Sequence, residues 1–269
     1  MKIAFSVATP EVNTPLLPAQ QGPFCDNLDV LVNCGYDGVE LSIRDPDQLD
    51  LKMIEQETQR RNLEIASIHT AAIGFQDKLW LCHPQPQIRK KAMGRLIGAL
   101  NIASKFSVDV LVGSFRGKLN EGEDREESIR WMHNAFAEAA NYAEEKKIRV
   151  LFEPQAKFSV NFGFTAQDGT AFAKRINSPG MGIMLDTFHM NVEDASFAQS
   201  IFDSRKYLHY LQISDSNRKY PGGGHIPFGE IIGALKGIKY KGYLSLQINR
   251  EPDYEVAAKL GIDHLRSLL

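Results

Sequence analysis

At 269 residues, 43% hydrophobic and 24% charged, the chain carries enough apolar material for one substantial core. Its net charge is −2 with basic and acidic residues intermixed, so it lacks the basic face expected of a nucleic-acid binder. No apolar run approaches the roughly 20 residues of a membrane span, the opening MKIAFSVATPEV turns polar too soon for a secretion signal, and the odd set Cys25, Cys34 and Cys82 suggests free thiols in a reducing, cytoplasmic setting.

A short apolar run followed by a helical stretch recurs along the chain. Predicted strands span 2–9, 37–42, 64–71, 108–115, 149–155, 181–188, 208–214 and 242–248. Predicted helices span 24–34, 47–61, 86–106, 126–147, 166–177, 195–206, 229–237 and 254–267. Eight βα units without a long linker imply a parallel sheet closed on itself. The expected fold is a single (β/α)8 TIM barrel over residues 1–269, with a doubly wound open sheet as the alternative.

Strand parity predicts what faces the barrel interior. In the last strand Leu244, Leu246 and Ile248 alternate with Ser245, Gln247 and Asn249. The aliphatic set belongs under the helices, so the polar set points inward. The same alternation turns Gln212 and Ser214 inward on the seventh strand and His69 inward on the third. Glu153 and Asp186 take the last inward positions of the fifth and sixth, and Glu40 and Ser114 complete a polar ring. Inward polar groups at the C-terminal strand ends are where barrel enzymes place their chemistry.

Two carboxylates converging in an enclosed mouth repel each other, and a divalent cation or a paired Arg or Lys relieves that. His189, three residues past Asp186, suits a ligand, a substrate contact or a proton donor, and His69 is a weaker case. Arg218 suits a hydroxyl, carboxylate or phosphate, or a solvated loop. The run PGGGH (221–225) lacks a Lys or Ser/Thr partner and suits a loop needing positive φ better than a phosphate cradle. Phe75 and Trp80, after the third strand, suit either the wall of a sugar-sized pocket or ordinary packing.

The segments LFEPQ, MLDTFHMN, SDSNRKYPGGGHIPF and GYLSLQI, with GYDGVELSIRDP, IASIHTA and VGSFRG, resemble the xylose-isomerase-like sugar isomerase and epimerase superfamily, relatives of D-tagatose 3-epimerase and hydroxypyruvate isomerase. The resemblance implies a metal held by Glu, Asp, His and Glu on four strands. Glu153 and Asp186 match the first two positions, whereas the others read Gln212 and Gln247. It also implies substrate contacts from His189 and Arg218, and a further Glu where this chain has Ser159. The expected metal set is therefore Glu153, Asp186, Gln212 and Gln247, binding Mn2+ or Mg2+ weakly or not at all, since amide oxygens still coordinate hard cations but carry no charge. The expected catalytic group is Glu153, with His189, Arg218, Gln247 and His69 around the substrate.

The activity so implied is metal-assisted proton transfer on a small ketose or sugar acid, by an isomerase in a homo-oligomer without nucleic-acid or membrane partners. Gln247 cannot accept a proton, so epimerisation is expected to be weakened. The alternative is a catalytically silent barrel that binds a sugar or a partner. An apurinic-site endonuclease on the same barrel is disfavoured, because Ser114, Gln212 and Gln247 stand where metal ligands are wanted and the charge is wrong for DNA.

Overall fold

The computed structural model describes residues 1–120 and 124–269. Its strands are β1 (Lys2–Ala8), β2 (Gly38–Ser42), β3 (Glu64–His69), β4 (Val110–Val112), β5 (Val150–Phe152), β6 (Met181–Asp186), β7 (Leu208–Ile213) and β8 (Tyr243–Leu246). They run parallel in chain order and close into a barrel, β1 pairing with β8 through Lys2↔Tyr243 to Phe5↔Leu246. The open-sheet alternative is thereby excluded. The helices are α1 (Phe24–Cys34), α2 (Leu51–Arg60), α3 (Ala71–Asp77), α4 (Pro86–Phe106), α5 (Arg125–Glu145), α6 (Ala166–Ile176), α7 (Thr187–Glu193), α8 (Phe197–Ser204), α9 (Phe228–Gly237) and α10 (Tyr254–Leu268).

Local chemistry sets many of these boundaries. Asp50, Ser196 and Asp253 each accept an amide hydrogen bond at a helix start, and Thr165 with Asp168 forms a reciprocal capping box on α6. Gly35, at φ 88°, closes α1 in the left-handed conformation. Two helices depart from the sequence prediction. Both α3 and α7 begin directly at the end of a strand, inside segments read as continuous strand (64–71 and 181–188). The apolar residues there are buried in either state, so hydrophobicity does not distinguish them.

Alternation holds around the barrel. Leu211, Ile213, Leu244, Leu246 and Ile248 join the core beneath the helices. Ala4, Ala66, Leu111, Leu151, Met184 and Tyr210 fill a layer inside the barrel. Ser6, Glu40 and Ser67 pair across β1, β2 and β3, and Asp186, Gln212 and Ser245 across β6, β7 and β8. The interior thus becomes polar toward the C-terminal strand ends. Leu246 is fully buried and packs against Gly261 of α10. Leu246→Ala is expected to lower stability by about 2–5 kcal/mol in a urea titration, the cost of an unfilled core site.

Candidate active site

Glu153 leaves β5 with its N–H donating to the Val112 carbonyl at 3.1 Å. Its Oε2 accepts from Gln155 Nε2 at 2.9 Å, and Gln155 Oε1 accepts from Ser114 Oγ at 3.0 Å. Gly113 lies against the carboxylate so closely that a Cβ there would overlap it. Behind it sits Arg116, fully buried. Arg116 Nη1 donates to the Glu153 carbonyl at 2.5 Å, and Nη2 to the carbonyls of Phe162 and Gly163 at 3.2 and 3.3 Å. Its guanidinium lies 4.5 Å from the Phe152 ring centre. Sequence reasoning missed both Arg116 and Gln155. A buried Arg whose two Nη groups are held by backbone carbonyls leaves no spacing pattern to find.

Asp186 ends β6 and caps α7. Its Oδ1 accepts from Phe188 N at 2.8 Å and its Oδ2 from Arg218 Nη1 at 2.6 Å. Because α7 starts here, His189 sits one turn on and faces the same way. Ligand atoms of Glu153, Asp186 and His189 all lie within 4.8 Å of one another. The sequence-derived ligand set contained no imidazole, whereas the geometry brings one beside both carboxylates. His189 Nδ1 accepts from Ala156 N at 3.2 Å, which places the proton of the neutral ring on Nε2. That Nε2 is 3.7 Å from Glu153 Oε1. Arg218 Nη2, 3.3 Å from Nε2, is also a donor, so this approach is a contact and not a hydrogen bond.

Arg218 is held firmly. Its backbone is left-handed (φ 61°) and its carbonyl accepts from Asn249 N at 2.7 Å. The side chain also donates to Ser214 Oγ at 2.9 Å and lies 4.4 Å from the Phe188 ring centre. The loop that carries it wraps around Asp215, whose carboxylate accepts from Ser216 N, Gly222 N and Ile226 N at 2.7, 2.9 and 3.0 Å. Burial pushes the Asp215 carboxyl up, but these amides and that of Gly224 outweigh it and hold the group below its ordinary value. The run 221–225 is therefore a nest for the chain's own carboxylate. Gly222 has φ 90°, and a Cβ on Gly224 would overlap Asp215.

His69, His189, Arg218 and Gln247, the four predicted substrate contacts, line one mouth cavity of 190 Å³ together with Gln155 and Ser159. Gln212 lies deeper and is fully buried. Its Nε2 donates to Glu40 Oε1 at 2.8 Å, while its Oε1 has no hydrogen-bond partner. The Gln247 carbonyl is 3.4 Å from Arg218 Nη1. For a hard cation, Glu153 and Asp186 supply charge and the orphaned Gln212 oxygen a neutral donor. The donor chemistry thus fits a divalent ion, but Arg218 already occupies Asp186 Oδ2. Arg218→Met is expected to raise Mn2+ affinity at least tenfold in calorimetry, by removing a competing cation from Asp186.

Burial, then the Asp186 charge, raises Glu153 to about 8, with Arg116 and Arg218 opposing. Burial raises Glu40 to about 7. Burial also depresses His69 to about 4 and His189 to about 3. In the folded state Glu153 keeps a proton that the unfolded chain releases near 4.5. Stability therefore falls as pH rises through that window, whereas the histidines act oppositely and only below their ordinary 6.5. Above about pH 7 the Glu153 contribution remains. Stability by denaturant titration is expected to decline between about pH 7 and 8.5, and Glu153→Gln to flatten the decline.

The family model "Xylose isomerase-like TIM barrel" matches residues 28–268. An L-ribulose 3-epimerase from Methylomonas sp. is 28% identical over 220 residues, 79% of this chain and 74% of that protein. A D-psicose 3-epimerase from Ruminiclostridium cellulolyticum is 31% identical over 175 residues, 62% of this chain but only 58% of that protein. A 3-keto-D-glucoside 4-epimerase from Escherichia coli, solved in its apo form, superposes with a TM-score of 0.84 at 18% identity, covering 99% of both chains.

Proposed function

Since the chain belongs to the xylose isomerase-like TIM-barrel family, we propose that it is a sugar isomerase or epimerase that moves a proton at the carbon next to a ketose or sugar-acid carbonyl. The observation that carries this reading is the arrangement around one sugar-sized mouth. A buried carboxyl, Glu153, stands beside a neutral His189 Nε2–H and the Arg218 guanidinium. The named relatives act on ketoses, which supports the same substrate class.

In this scheme Glu153 acts in its ionised form, a fraction that grows as pH approaches about 8. It takes the proton as the C–H bond breaks, and the electron pair passes into the carbonyl to form an enediolate. The Nε2–H of His189 and the N–H groups of Arg218 face the developing oxyanion and stabilise it. Glu153 then returns the proton. Mn2+ or Mg2+, held weakly by Glu153 and Asp186 with oxygens of Gln212 and Gln247, supplies Lewis-acid polarisation of the carbonyl when bound. His69 and Gln247 position sugar hydroxyls.

Inversion needs a proton acceptor on each face of the carbon, and Gln247 is an amide. Return to the neighbouring carbon on one face needs Glu153 as its only carbon base, with the proton of the adjacent hydroxyl passing to the enediolate oxygen that was the carbonyl. Each positioned acid or base contributes on the order of 10²–10⁴-fold, so 1,2-isomerisation is favoured over epimerisation. In D2O, wild-type protein with D-fructose is expected to incorporate deuterium with little inversion, and Glu153→Gln to stop incorporation. Gln247→Glu with Gln212→His is expected to raise inversion, read by NMR. Strong inversion by the wild type would show that another group supplies the second proton.

The second reading is a silent sugar-binding barrel. It is favoured by the pairing of Arg218 with Asp186 and of Gln212 with Glu40, both of which engage the family's metal positions internally. Sugar binding without deuterium incorporation selects it. A cytoplasmic setting, supported by three free cysteines, and a homo-oligomeric state belong to the same proposal.

A further inference from the structure

The mouth is not the largest space at this end of the barrel. A cavity of 520 Å³, more than twice its size, adjoins it. Phe75, Ser114, Phe158 and Ser159 line both, so the two meet along these side chains. The far part of the groove is walled by Trp80, His83, Gly117 and Lys118.

The wall is built and fixed. The Trp80 ring lies close enough to Gly74 that a Cβ there would overlap it. Gly117, at φ 87°, leaves the other side bare, and a Cβ at that position would come 3.0 Å from Trp80 Cβ and 2.9 Å from Cys82 Sγ. Leu81 N and Cys82 N donate to the carbonyls of Phe115 and Arg116 at 3.3 and 3.2 Å. Residues 113–117 therefore serve both spaces. Gly113 and Arg116 seat Glu153, while Gly117 and the Phe115 and Arg116 carbonyls seat the Trp80 segment. Phe158, 59% exposed and edge-on to Phe188 at 5.9 Å, stands at the junction.

We infer that the groove is a subsite for a second sugar ring, so that the substrate is a glycosylated ketose and not a free monosaccharide. This rests on the sugar-site reading above. The mouth takes the carbonyl-bearing sugar unit in its open-chain form and leaves the larger space unaccounted for. Aromatic faces at Phe75, Trp80 and Phe158 suit the apolar C–H face of a pyranose. Ser114, Ser159, His83 and Lys118 around them suit its hydroxyls. A purely apolar occupant would make no use of the Ser159 hydroxyl or the Lys118 ammonium that face this space.

The test is calorimetric binding of D-fructose against two two-ring ketoses, isomaltulose and lactulose. At least one of the pair is expected to bind tenfold or more tightly than D-fructose. Trp80→Ala is expected to bring that ratio to within twofold of unity. Lys118→Ala, at an exposed side chain whose loss leaves the fold intact, is expected to lower the same ratio. Binding of D-fructose with no gain from the second ring overturns the proposal alone. A gain that survives in both variants also overturns it, since the second ring then lies elsewhere. If none of the three sugars binds and D-fructose takes up no deuterium from D2O, the sugar-site reading falls with it.

Discussion

Two carboxylates buried side by side at the mouth of a barrel are an electrostatic problem before they are a catalytic site. Glu153 and Asp186 are each about 1% exposed, and water cannot screen their repulsion. The chain answers with two guanidinium groups. Arg218 binds Asp186 from the front, and Arg116 supports the Glu153 backbone from behind. Much of the surrounding structure serves to hold these two cations. The left-handed turn at Arg218, the Asp215 nest and the Phe188 ring fix one. The carbonyls of residues 153, 162 and 163 and the Phe152 ring fix the other. A buried charge without such support is expensive, and the expense falls on whichever partner remains when the other is removed.

This arrangement bears on what a metal ion would do here. Where a chain offers three anionic ligands and an imidazole, a divalent cation neutralises the site by itself. This chain has two carboxylates and an arginine already in contact with one of them, so an incoming ion must displace a cation and not merely fill a space. Gln212 adds to the effect. Its amide nitrogen is committed to Glu40, so its conformation is decided by the barrel interior. An amide where the resemblance implies a second glutamate, and the contact of Arg218 with Asp186, act in the same direction on the charge of the mouth.

Strand alternation made much of this visible beforehand. A one-residue error in register would have turned Gln212 and Gln247 outward, and the aliphatic residues flanking them rule that out. The same alternation places Glu153, Asp186, Gln247 and His69 at inward strand ends, while His189 and Arg218 stand out only because they follow such ends closely, and the structure brings His69, His189, Arg218 and Gln247 to one mouth. What escaped depends on three-dimensional approach. Gln155 and Ser114 matter through a relay to the Glu153 carboxylate, and Arg116 through carbonyls 37 to 47 residues away in sequence. Asp215 carries no sequence signal because its partners are backbone amides, which every sequence has. The closeness of His189 to the carboxylates depended on α7 starting at Asp186, where the strand pattern was expected to continue.

The Asp215 nest also bears on selectivity. Amides gathered in a glycine-rich turn after a late barrel strand are the usual means of gripping a phosphoryl group. Here the amides of Ser216, Gly222, Gly224 and Ile226 are turned onto a carboxylate that belongs to the chain. The protein carries its own permanent anion in that position. With these amides committed to Asp215, they are not free to hold a phosphoryl group.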